Sequence, residues 1–195
     1  MKKFIEPALA IGLAVALIIG AKADAMQKDI SSRMLRLHVI ANSDSDFDQA
    51  EKMHIRDLVF NKANELTKSA KTLDDAKSAL SRNLDTLVSC AAVGTNRPVR
   101  AEITTMYFPT REYDTFTLPA GEYEALRIII GEGKGRNWWC VMFPPLCLNA
   151  AEAIEIAESS GLSDDEISLI SKGKNAYRYK FKFLELLSQL KDMLV

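Results

Sequence analysis

In the segment LRLHVI, Leu35, Leu37 and Val39 alternate with Arg36 and His38. A period of two predicts a strand with its leucine face turned inward and Arg36 and His38 on the other face. Phe47, Ala50, Ile55, Leu58, Val59, Ala63 and Leu66 then recur at helical spacing. A second helix is announced by Thr72 as cap with Asp75 three residues on, followed by Leu73, Ala76, Leu80, Leu84, Leu87, Val88 and Ala91, with Gly94 as the stop. From Val99 the pattern returns to β. Val99, Ala101 and Ile103 alternate with polar neighbours, and two β-prone pieces follow, Met106 to Phe108 and Tyr113 to Leu118.

After the Pro119-Ala120-Gly121 turn come two apolar runs, Ala125 to Ile130 and Trp138 to Phe143, separated by a glycine-punctuated polar insert, Gly131 to Asn137. Two strands joined by a loop are expected here, as a hairpin. Asn149 with Glu152, and Ser163 with Glu166, are capping pairs for two short helices, the second with Leu162 and Ile167 as a hydrophobic staple. Tyr177, Tyr179 and Phe181 alternate, and Phe183, Leu187, Leu190 and Leu194 return to helical spacing. The expected fold class is α+β, a single domain with a mainly antiparallel sheet from the middle of the chain and helices from both ends covering it.

The amino terminus adds something different. Met1-Lys2-Lys3 leads into an apolar run from Pro7 to Ala21, shorter than the roughly twenty residues of a spanning helix, and Ala21-Lys22-Ala23-Asp24-Ala25 offers small-x-small cleavage frames. Residues 1–25 are therefore expected to be a signal peptide, with a retained membrane anchor over residues 7–21 as the alternative, and residues 26–195 the exported domain. The rest is ordinary globular composition, 48% apolar and 26% charged with a net charge of -1. Nucleic-acid binders usually carry a basic excess, so this balance argues against that class.

Export changes the meaning of the three cysteines, because disulfides persist outside the reducing cytosol. Cys140 and Cys147 flank Pro144-Pro145 and are close enough in sequence to bridge if the chain turns there, at a gain of about 2 to 3 kcal/mol. Cys90, on an apolar helical stripe, is expected to be a buried free thiol.

Asp44, Asp46 and Asp48 have the alternate spacing of a calcium loop, but the positions that need glycine and glutamate hold Gln49 and Ile55, so capping of the following helix is the better reading. The run GEGKGR at Gly131 to Arg136 resembles a phosphate loop, yet a strand pattern follows it where a helix amino terminus is required. A cysteine hydrolase needs a base beside Cys140, and of the two histidines His38 is the candidate, His54 falling on a helix surface. Paired zinc ligands are missing from the pattern. No metal, cofactor or catalytic residue is expected on the leading reading, and the hydrolase using Cys140 and His38 is the alternative. In a strand, Trp138 and Trp139 point to opposite faces, so both pack or one is displayed beside Arg136 as an interface anchor.

The blocks LRLHVIANSDS at Leu35 to Ser45 with Asp48-Gln49, FPTR at Phe108 to Arg111, LPAGEY at Leu118 to Tyr123 and GEGKGRNWWCVMFPPLC at Gly131 to Cys147 resemble the stage II sporulation protein R family of endospore-forming Firmicutes. The resemblance implies a signalling protein exported from the forespore into the space between the two membranes. Its implied partner is the membrane-embedded aspartic protease that cleaves the sigma-E precursor in the mother cell. Glu132, Lys134, Arg136, Trp138 and Trp139 are the residues expected to touch that partner, because no other segment combines aromatic and charged side chains in this way.

Overall fold

The computed structural model describes residues 2–113, 116–146, 156 and 161–170. Its centre is a four-stranded sheet of β1 (Leu35–Ile40), β2 (Val99–Phe108), β5 (Gly121–Ile130) and β6 (Asn137–Phe143), with β3 (Arg111–Glu112) and β4 (Thr117–Leu118) forming a small separate ribbon. The helices are α1 (Lys2–Ser31), α2 (Asp46–Thr67), α3 (Leu73–Ser81), α4 (Leu84–Ala92) and α5 (Asp164–Ile170). The α+β class and the mainly antiparallel sheet are as expected from the sequence.

The strand order is β2-β5-β1-β6, with β1 parallel to β5 and antiparallel to β6. This corrects the expected hairpin. β5 and β6 are consecutive in the chain, but β1 lies between them and pairs with both, so Gly131 to Arg136 is a crossover loop that passes over the end of β1. Packed layers lie on both faces of β1, and all six of its residues are buried, including Arg36 and His38.

One sheet face packs on α2, α3 and α4. Leu35, Leu37, Val39, Leu126, Ile128, Ile130 and Cys140 meet Ile55, Val59, Leu80 and Leu87 there. On the other face, Phe108, Tyr123, Ala125 and Val141 meet Ile30 from the end of α1, Met34 just before β1, Phe116 and Leu118 at the ribbon, and Ile167 of α5.

Local signals account for the helix ends. Ser45 caps α2 by accepting from Asp48 N–H, and Thr72 with Asp75 forms a reciprocal capping box on α3. Ser163 and Glu166 do the same at α5, where Leu162 and Ile167 are both buried. The helix expected from Thr72 to Ala91 is two, because Asn83 Nδ2 turns back to Ala79 O and its own N–H to Leu80 O, ending the helical ladder. Phe47 is 69% exposed despite its place in the helical pattern, and Cys90 is half-buried, donating to Leu58 O at 3.5 Å.

α1 is one continuous helix that runs through Ala21 to Ala25 without a break. Only its end belongs to the domain: Ile30 is fully buried and Met26 packs beside it, while Ile11, Leu17 and Ile18 are each about two-thirds exposed. Among the described residues no helix is long and apolar enough to cross a membrane. The helix expected from Asn149 and the pattern from Tyr177 onward lie outside the described residues.

Candidate partner-binding site

The crossover loop is built by close approach to the segment after β1. Gly131 has φ +57°, a conformation that suits glycine. Gly135 is there for space, since a Cβ would collide with the backbone carbonyl of Ser43. Lys134 N–H donates to Asn42 O at 3.1 Å, Gly135 N–H to Ala41 O at 2.9 Å and Glu132 N–H to Asn42 Oδ1 at 3.0 Å. Arg136 N–H donates to Asp44 Oδ1 at 2.6 Å, and buried Lys52 donates to Arg136 O at 2.9 Å. Asp48 anchors the other side, accepting from Asn42 Nδ2 and Ser43 Oγ and pairing with Arg97 at 2.9 Å. Those two hydrogen bonds, and then Arg97, hold its carboxyl below the usual carboxylate range. The acidic run is thus a capping and loop-fastening device, and the two blocks ANSDS and GEGKGR are halves of one clasp.

The five expected contact residues divide into four places. Glu132 and Lys134 pair with each other at 2.7 Å at the loop tip, both more than two-thirds exposed. Arg136 is 66% exposed, 3.6 Å from Asp44. Trp138 faces the helices, half-buried against the core, with the Arg56 guanidinium 4.7 Å from its ring centroid. Trp139 points to the opposite face, half-buried and stacked on His38 at 3.9 Å with 8° between the planes. The strand alternation read from the sequence holds, so the two tryptophans do not make one patch.

The sequence reading missed the residues gathered around Trp139. Register puts Glu102, Arg127, His38 and Trp139 in one row across all four strands. Arg127 pairs with Glu102 at 2.9 Å, and His38 Nε2 lies 2.9 Å from Asn137 Oδ1. Burial and then nearby Arg127 push the His38 imidazole below its ordinary value, against the hydrogen bond to Asn137. Arg36, fully buried one row away, donates to Cys140 O and to the Tyr113 hydroxyl, with its guanidinium 4.3 Å from the Phe108 centroid and 5.0 Å from that of Tyr123. Burial lowers the Arg36 value and raises that of Tyr123 to about 12. The available signal was an arginine and a histidine on the same face of one short, otherwise apolar strand.

Cys140 and His38 do not form a dyad. Cys140 pairs with Leu37 in the helix-facing core, whereas His38 belongs to the opposite face with Trp139. The pleat turns neighbouring side chains to opposite sides of the sheet, so the base cannot reach the sulfur. Cys147, the expected disulfide partner of Cys140, lies outside the described residues.

The family model described as stage II sporulation protein R (spore_II_R) matches residues 31–153. This chain belongs to the stage II sporulation protein R family. The match starts at the last residue of α1 and takes in every strand of the sheet and both halves of the clasp. The stage II sporulation protein R of Bacillus subtilis (strain 168) is 34% identical over 184 residues, covering 87% of this chain and 82% of that protein. No solved structure matches. Membership of the stage II sporulation protein R family gives this chain a role in sporulation.

Proposed function

We propose that this protein is an intercellular signal of endospore formation, exported from the forespore to activate the membrane-embedded aspartic protease that processes the sigma-E precursor in the mother cell. The observation that carries this reading is a rigidly held display surface beside a histidine and a cysteine that cannot meet. Hydrogen bonds from the loop's own N–H groups to Asn42 O, Ala41 O and the Asp44 carboxylate fix the crossover loop while the side chains of Glu132, Lys134 and Arg136 stay exposed. A surface ordered before binding loses less entropy on contact.

A trigger of this kind must bind the active form of the protease more tightly than the inactive form, by about 5 kcal/mol to move it from mostly off to mostly on. Residues 1–25 serve as the export signal or, if retained, as an anchor in the forespore membrane. The folded domain takes hold of the chain just beyond them, at Met26 and Ile30. A Cys140–Cys147 disulfide would fasten the end of β6 after export.

The decisive experiment exports this protein beside the protease and its sigma-E precursor in a non-sporulating host. Precursor cleavage above the protease-only control is expected. Cleavage equal to that control would overturn the signalling reading.

A further inference from the structure

Arg36 carries a charge that no acidic group among the described residues neutralises. Its side chain is fully buried, and a guanidinium stays protonated inside proteins. Nε and one terminal nitrogen have neutral acceptors, Cys140 O at 3.1 Å and the Tyr113 hydroxyl at 2.7 Å. The other terminal nitrogen, Nη1, is buried with no acceptor among the described residues. The rings of Phe108, Tyr123 and Tyr113 offer their faces at 4.3, 5.0 and 5.9 Å, but ring quadrupoles alone are a weak replacement for water around a cation.

Two more groups of the same character converge here. His38 Nδ1 is buried and unpartnered, and the ring touches Phe108 edge-on at 6.4 Å. Arg111 is exposed, lies 5.7 Å over the Trp139 ring and makes no ion pair among the described residues. Arg111 is also near enough to disfavour the charge on Arg36. Phe108 touches Arg36 and His38 and lies 4.7 Å from Trp139, the ring that Arg111 covers. Three groups able to bear positive charge therefore share one aromatic-lined spot, with no acid among the described residues paired to any of them.

We infer that Arg36, His38 and Arg111 form a receptor for a carboxylate, and that this carboxylate is an acidic side chain of the protein's partner. A guanidinium presents donors in the planar fork that a carboxylate matches. With Nε2–H given to Asn137, the neutral His38 ring leaves Nδ1 as an acceptor, and protonation makes it a further donor. The half-exposed Trp139 and the exposed Arg111 form the open side. Because Nη1 is closed to water in the free protein, filling the site shifts this edge, and Trp139 reports the shift. The acidic-side-chain assignment rests on the signalling function proposed above, whereas the carboxylate site stands without it.

The full-length protein carrying Trp138→Phe keeps Trp139 as its one tryptophan. Its fluorescence is followed during titration with sodium acetate, against sodium chloride at equal ionic strength. A saturable change with acetate alone is expected, weakened at least tenfold by Arg36→Met and by Arg111→Met. Arg36→Met removes an uncompensated buried charge and strands no acid, so it should fold. If it does not, exposed Arg111→Met carries the test. No saturation, the same response to chloride, or no effect of either variant would overturn the site.

Both variants are then assayed for precursor cleavage in the reconstituted system. Loss of cleavage with folding intact supports an acidic side chain of the partner. Full cleavage by variants that no longer bind acetate overturns that assignment and makes the ligand a free carboxylate. If the unaltered protein fails to trigger cleavage, the signalling reading falls while the acetate result still decides the site.

Discussion

His38 lies flat against Trp139, 3.9 Å between ring centroids, in a row that continues through Arg127 to the Glu102 carboxylate on the far edge strand. The relationship joins the block LRLHVI to the block NWWC across 101 positions of chain. It also removes the one imidazole that might have served Cys140, because stacking on Trp139 commits the ring to the other face.

The stack makes stability sensitive to pH. His38 is held below its ordinary value by burial and then by Arg127, with Asn137 opposing them and Arg36 and Glu102 also on this face of the sheet. The unfolded chain therefore binds the proton more readily than the folded one, and stability falls as pH drops below about 6.5. Urea midpoints should be level above pH 7 and decline between pH 6.5 and 5. His38→Gln should flatten that decline, and an unchanged slope would assign it to other groups.

Gly135→Ala tests the clasp. The added methyl meets the Ser43 carbonyl, which is backbone tied to the start of α2, and neither segment can yield cheaply. A loss of about 1 to 3 kcal/mol is expected for such overpacking, read as a lower denaturant midpoint with an unchanged m-value.

Side chains at the loop tip should matter to the partner and not to the fold. Arg136→Ala and the double replacement Glu132→Ala with Lys134→Ala remove exposed groups whose ion pairs contribute little to stability. Melting temperatures should stay within a degree or two, while precursor cleavage falls about tenfold, the equivalent of 1.4 kcal/mol of binding. Trp138→Ala should cost both, since its ring is part of the helix-side core. Undiminished cleavage with Arg136→Ala would move the contact away from the loop.

Counting thiols decides the disulfide. Protein recovered after export, denatured without reductant and alkylated, should label at Cys90 alone, and at all three cysteines after reduction. Labelling at three sites without reductant would rule the Cys140–Cys147 bridge out. If the bridge is present, Cys147→Ser should cost about 2 to 3 kcal/mol.

What could be read from the residues was whatever depends on near neighbours. Alternation in LRLHVI assigned Leu35, Leu37 and Val39 to one face and Arg36 and His38 to the other. The same period separated Trp138 from Trp139. Ser45, Thr72 and Ser163 marked helix starts because a cap and its amide are three residues apart. The glycines of GEGKGR, followed by a strand, argued against phosphate binding. Asn83 was the local signal that went unread, and it cut one expected helix into two.

Pairing between distant segments was decided only by the tertiary structure. Nothing in Ala125 to Phe143 says that a third strand enters between two that look like a hairpin. β1 does so by pairing along both edges, and its apolar inner face and its buried Arg36 and His38 are covered by the layers packed on either side of the sheet. That one insertion makes Gly131 to Arg136 a crossover loop, lays it on Asn42 to Asp44, sets His38 against Trp139 and leaves Cys140 behind the sheet. Chain spacing fixes which face a side chain takes, but the neighbour it finds there depends on strand order, and strand order is settled by burial summed over the whole sheet.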